Sequence, residues 1–168
     1  MLQAATLVIF PALMVFAALS DLFTMTISNR ISIALVAIYL PFALLIGVPG
    51  HEIAIHFACG FGVLVLTFTM FAFGWIGGGD AKLAAATAVW MGWENLGDFG
   101  LDTALIGGAL TLLILNARML PLPGWAIRCE WIARLHERGN GVPYGIALAI
   151  AGLMLYPDTG VWTAASAV

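Results

Sequence analysis

The stretch MLQAATLVIFPALMVFAALS, Met1 to Ser20, contains no charged side chain and is followed directly by Asp21. In lipid every backbone N–H and C=O must be satisfied inside the segment, so a helix crossing the hydrocarbon core needs about 20 mostly apolar residues. The run has that length and predicts a transmembrane helix. The pattern returns along the chain. Ile31 to Gly50 is uncharged and closes on Val48-Pro49-Gly50, and Ile53 to Gly74 carries no Asp, Glu, Lys or Arg. Ala81 to Trp93 is a shorter run with Lys82 near its start, where a long stem can snorkel to the interface. Thr103 to Ala117 and Val142 to Tyr156 complete the set. The expectation is an all-α, polytopic membrane helical bundle of about six transmembrane helices.

Composition agrees. Of the 168 residues 62 % are hydrophobic and 9 % charged, against about 25 % charged in soluble domains. One membrane-embedded domain over residues 1–168 is expected. No basic tract points to nucleic acid. Cys59 and Cys129 form no CxxC pair, so neither a zinc site nor a disulfide framework is supported. No Lys or Arg precedes Arg30, and a cleavable signal peptide needs a basic start, so the first span is expected to be retained.

Lys and Arg in short loops stay cytoplasmic. With six spans, one face receives the loops Asp21 to Arg30, Trp75 to Lys82 and Arg118 to Gly141. These hold Arg30, Lys82, Arg118, Arg128, Arg134 and Arg138, every basic residue apart from the histidines. The other face receives His51, Glu52, Glu94, Asp98, Asp102 and Asp158. That partition puts Asp21 and Asp80 at the cytoplasmic side and both termini on the opposite, periplasmic side. Small residues at Gly60, Gly62, Ala104, Gly107 and Gly108 are expected to let helices approach closely.

Ionisable groups at membrane depth are costly and mark function by default. Asp21 follows a charge-free helix, and Asp80 ends the string Gly74-Trp75-Ile76-Gly77-Gly78-Gly79-Asp80. Three consecutive glycines weaken a helix and are expected where a backbone turns sharply or approaches something closely. A phosphate-binding loop is excluded, since Gly-Lys-Ser/Thr is missing. In the plain structural reading Asp80 caps the fourth helix and Asp21 is interfacial. Capping is compatible with chemistry: two adjoining carboxylates can share a proton, the ionised one activating water and the protonated one polarising a peptide carbonyl. That chemistry needs no metal, nucleophilic side chain or organic cofactor, and none is expected.

The segments Ser20-Asp21-Leu22-Phe23-Thr24-Met25-Thr26-Ile27-Ser28-Asn29, Gly77-Gly78-Gly79-Asp80-Ala81-Lys82 and Val142-Pro143-Tyr144-Gly145 resemble the type IV prepilin peptidase family of Gly-x-Gly-Asp aspartate proteases. More narrowly they resemble its short members associated with Tad/Flp pili. The resemblance rests on the order of the motifs along most of the chain. It implies a catalytic pair of Asp21 and Asp80. It implies supporting roles for Gly77, Gly79, Lys82, Asn29, Pro143, Tyr144 and Gly145. The substrate would be a prepilin or pseudopilin precursor, cut at the cytoplasmic face of a bacterial inner membrane between a short basic leader and its apolar helix. Longer members carry paired CxxC motifs in an N-terminal methyltransferase region; this chain has neither, and is expected to cleave without methylating. Ser28 stands where the family often has proline, a departure expected to be tolerated.

The helix dipole favours Asp80, at a helix start, as the base and Asp21, at a helix end, as the acid. Residues 118–141, with Trp125 and Trp131 among mixed charges, are expected to form an interfacial amphipathic helix attracted to anionic lipid. The rival reading is a small ion or proton transporter using the two membrane-end aspartates. It accounts for the charges but leaves unexplained why both carboxylates share one face. A structural assembly factor is a third reading, in which neither aspartate matters.

Overall fold

The computed structural model describes residues 2–166, with side chains from residue 7; Met1, the first residue of the first expected span, lies outside the described residues. Helices follow in the order α1 (Leu2–Thr24), α2 (Asn29–Leu45), α3 (Gly50–Ala72), α4 (Gly78–Ala117), α5 (Gly124–Ile127), α6 (Glu130–His136), α7 (Tyr144–Leu155), a 3-10 turn (Tyr156–Asp158) and α8 (Gly160–Ser166). No strand occurs among the described residues. The chain is an all-α membrane protein.

Three helices are long and apolar enough to cross a bilayer: Leu7–Thr24, Gly50–Ala72 and Gly78–Ala117. A fourth is added if Tyr144–Asp158 and Gly160–Ser166, bent by 51°, form one span. The six spans expected exceed this for two reasons. α2, at 17 residues, falls short of a full crossing. The fourth and fifth expected spans are one helix of 40 residues, α4. At 1.5 Å per residue a straight helix of that length measures about 60 Å, twice a hydrocarbon core. α4 is not straight, however. Gly92, at φ 68° and ψ −179°, leaves helical geometry in mid-run, in a region of backbone space that only glycine enters without strain. Asp80 and Ala84 before it, and Leu96, Phe99, Gly100 and Thr103 after it, line the same cavity. α4 is therefore kinked at Gly92, with both limbs facing one cavity.

The break is sealed from the side. His56 Nδ1 lies 2.8 Å from the carbonyl of Val89, three residues before the break. The His56 ring packs against Gly92 and stacks on Tyr39 at 5.4 Å. Around it Trp90 is fully buried, with Phe10, Tyr39 and Phe42 at ring separations of 5.0, 5.4 and 5.3 Å. Its indole N–H donates to the Leu35 carbonyl at 3.0 Å, which satisfies the one polar group such a ring brings indoors.

α4 is the hub, packing on α2, α3 and α7, while α1 packs on α7, α2 and α8. Most of each span looks outward: only 17 % of the Gly50–Ala72 window is buried, and Phe61, Leu66 and Phe68 stand exposed on α3. In a bilayer such a surface meets acyl chains rather than water. The small residues behave unequally. A methyl group at Gly60 would collide with Val89, and one at Gly107 with the Tyr144 ring, so both mark close contacts. Gly108 faces open space, and Gly62 has only the Trp93 ring at 3.9 Å.

Residues 118–141 do not form the single amphipathic helix expected. They make two short helices, α5 and α6, because Pro123 restarts the chain as the N-cap of α5 and Cys129 leaves helical geometry before α6. Trp125 and Ile127 on α5 are exposed. Trp131 on α6 turns inward onto Phe23, edge to face at 5.5 Å.

Candidate active site

α1 stops within one turn of Asp21. The Met25 N–H reaches the Asp21 carbonyl at 2.8 Å while Met25 itself adopts a left-handed φ of 54°, which ends the helix. Hydroxyls hold the turn: Thr24 Oγ1 donates to the Ser20 carbonyl at 2.7 Å and Ser20 Oγ to the Thr26 carbonyl at 2.8 Å. The chain folds back over the end of α1 and delivers Ile27, then Asn29 at the start of α2.

Asp21 is 5 % exposed. Its Oδ2 accepts the Gly145 N–H at 2.7 Å. α7 begins at Tyr144 with Pro143 as its N-cap, so Gly145 presents one of the N–H groups that a helix start leaves without an internal partner. The carboxylate of one helix thus caps another. A methyl group at Gly145 would sit 2.8 Å from Asp21 Oδ2 and 2.7 Å from Ile27 Cδ1. Only a residue without Cβ permits this approach.

α4 begins with the glycine triplet. Gly77 is its N-cap at φ −72°, and Asp80 lies three residues on, where a carboxylate can reach back to the N-cap N–H; it accepts a hydrogen bond from the Gly77 backbone. Asp80 therefore supports the start of α4 from its third position, while the N-cap expected of it is Gly77. The triplet itself is not the turn; that role falls to Gly74, at φ 74°, just upstream. Close approach is what its glycines allow. A methyl group at Gly79 would meet Ile27 Cβ at 3.2 Å, one at Gly78 the Phe71 ring at 3.2 Å, and one at Gly77 the Asp80 carboxyl at 2.8 Å. Ile27 is therefore wedged between Gly79 of α4 and Gly145 of α7. This draws the starts of both helices onto the end of α1 and sets Asp80 within electrostatic range of Asp21.

The remaining expected residues gather around this centre. Lys82 Nζ donates to Asn29 Oδ1 at 2.9 Å on the exposed side, tying the start of α4 to that of α2. Pro143 is fully buried. The Tyr144 ring lies on Gly107, and its hydroxyl oxygen accepts a hydrogen bond from Thr111 Oγ1 at 3.2 Å. Tyr144 and Asp80 also line a cavity of about 380 Å³, walled by Val63, Leu66, Met70, Leu96 and Phe99. Among the described residues no group of three or more His, Cys, Asp or Glu is placed to hold a metal ion.

The roles of Ile27, Thr111, Arg118 and Arg134 at the site were not read from the sequence. An isoleucine between two glycine contacts or a threonine under a tyrosine carries no local mark. The arginines counted as orientation signals and as part of a lipid-facing segment, yet each bonds a backbone carbonyl close to the site.

Neither the curated proteins nor the solved structures contain a match to the chain. A family model does match, over residues 8–117. That stretch carries Asp21, Asn29, Gly77, Gly79, Asp80 and Lys82, leaving Pro143, Tyr144 and Gly145 beyond it. With well over half its length matched, the chain belongs to the type IV leader peptidase family.

Proposed function

We propose that this membrane peptidase is an aspartic endopeptidase, with Asp21 and Asp80 as its catalytic pair, that removes the short leader of prepilin-like precursors at the cytoplasmic face of the inner membrane. One observation carries the reading: two carboxylates from separate helices lie within electrostatic range of each other at one end of the bundle, beside the glycine string. In the proposed reaction the ionised carboxylate takes a proton from water. The water attacks the scissile carbonyl carbon, while the protonated carboxyl donates to the carbonyl oxygen. Collapse of the tetrahedral intermediate returns a proton to the leaving amine and frees leader and mature chain. Both aspartates accept a backbone N–H, so position at a helix end does not by itself divide the roles, and the pair is best treated as sharing one proton. The apolar cavity beside Asp80 suits the hydrophobic residues that follow the cut bond. The basic residues at this end, Lys82, Arg118 and Arg134, support a cytoplasmic orientation. Substrates of the Tad/Flp pilin type, one membrane domain, and cleavage without methylation complete the proposal. The sequence motifs support the first, and the absence of paired CxxC motifs supports the last.

Co-expression with a Flp-type pilin precursor tests it. Leader removal, read as a gel shift, is expected from the parent and lost by at least about a thousandfold in Asp21→Asn and in Asp80→Asn at equal membrane abundance. Processing by both single variants would sink the proposal.

A further inference from the structure

Beyond the matched stretch, residues 118–145 close a circuit around the site. Arg118, which ends α4, is 8 % exposed. Its Nε donates to the Leu135 carbonyl at 2.7 Å and its Nη2 to the Gly141 carbonyl at 2.9 Å. Gly141 stands four residues before Gly145, whose N–H is on Asp21 Oδ2. On the other side Leu135 adjoins Arg134, whose Nη1 donates to the Phe23 carbonyl at 2.8 Å. Phe23 lies two residues after Asp21. Asn140 braces the circuit, donating to the Arg134 carbonyl and to Glu137 Oε2, both at 2.9 Å, and Trp131 packs on Phe23.

We infer that Arg118 and Arg134 are positioning residues that hold the Gly145 N–H on the Asp21 carboxyl. Resting on the peptidase reading above, this gives residues 118–141 a task beyond orientation: α6 bridges the end of the helix bearing Asp21 to the start of the helix bearing its N–H donor. Three physical facts carry it. Both partners of the Arg118 guanidinium are backbone carbonyls, and holding a cation away from water is costly unless its donors are well placed. The guanidinium is a rigid planar fork, so two carbonyls bound to it are fixed relative to one another, which an ammonium does less well. A cation on the last carbonyls of α1 also complements the negative end of that helix. The circuit is closed, so opening it at either arginine has the same consequence, a loosened Gly145. Positional errors of this kind act on the chemical step more than on substrate affinity.

The test uses the full-length purified protein as wild type, Arg118→Gln, Arg118→Lys, Arg134→Gln, the Gln/Gln double variant and Arg128→Gln, a control from the same segment outside the circuit. Two readouts are taken: amide hydrogen exchange across residues 141–147, with α3 as reference, and the kcat and KM of leader removal. Protection at 141–147 is expected to fall about tenfold or more in either Gln variant while α3 is unchanged. The kcat is expected to drop about 10- to 100-fold with KM moving less than about threefold. Arg118→Lys is expected to fall between wild type and Arg118→Gln, the double variant to be no worse than the worse single, and Arg128→Gln to match wild type. Should Arg118→Gln not accumulate, Arg118→Lys and Arg134→Gln decide. Unchanged protection with unchanged kcat, or effects that add in the double variant, would overturn the inference. A wild type that removes no leader would overturn the peptidase reading instead, and the exchange measurement would still judge the circuit.

Discussion

The two ends of the first limb of α4 both depend on glycine, and they use it for opposite purposes. At Gly92 the backbone enters a conformation closed to other residues, the helix kinks, and the space around it is filled by Trp90, Tyr39 and the His56 ring. At Gly77–Asp80 the backbone is ordinary, but a missing Cβ admits Ile27 and leaves a carboxyl beside a cavity. One end is packed tight and settles the architecture. The other is left partly open and gathers polar groups. The lesson is that φ separates the two kinds of glycine: Gly92 combines a kink with a close contact to the His56 ring, whereas Gly77, Gly78 and Gly79 serve close approach alone.

Substitutions that add one methyl group put this contrast to the test. The largest effect is expected for Gly145→Ala, whose methyl group would press on both Asp21 Oδ2 and Ile27. Displacing the carboxyl by an ångström is expected to lower the kcat of leader removal about 100-fold. Adding Ile27→Ala relieves only the second clash, so the double variant is expected to stay impaired; full recovery would reassign the glycine to packing. Gly92→Ala is expected to destabilise the fold by about 1 to 3 kcal/mol, measured as thermal stability in detergent, with activity per folded molecule near wild type. Loss of activity without loss of stability would erase the distinction between the ends. Lys82→Met removes the exposed hydrogen bond to Asn29 and is expected to cost about 0.5 to 1 kcal/mol, with activity within about threefold of wild type in the cleavage assay. The smallest effect is expected at Met25→Gly. The left-handed φ of 54° is unfavourable for a side chain, but glycine also gains freedom in the unfolded chain, so a net stabilisation of about 0.5 kcal/mol is anticipated in the same melting experiment.

Much of this was legible before folding. Uncharged runs announced membrane helices, and two isolated carboxylates with a glycine string marked a candidate site. The span count was less legible, because hydropathy averages over a window. It separates residues 81–93 from 103–117 by the acids between them, whereas the backbone hydrogen bonds carry the helix through those acids and break it only at Gly92. The amphipathic helix expected at 118–141 failed for a related reason. Charge and tryptophan pattern described a surface, while Pro123 and Cys129 set where the backbone could be helical.

By itself the sequence determined the solvent, the helical class and the identity of the candidate groups, because apolarity and charge belong to each residue and act over a single turn or span. Only the tertiary structure decided that the Gly145 N–H binds Asp21 with Asp80 in electrostatic range, that Ile27 is the wedge, and that Arg118 and Arg134 close a circuit behind them. Those relations depend on how close two backbones come, and that distance is set jointly by side chains far apart in the chain.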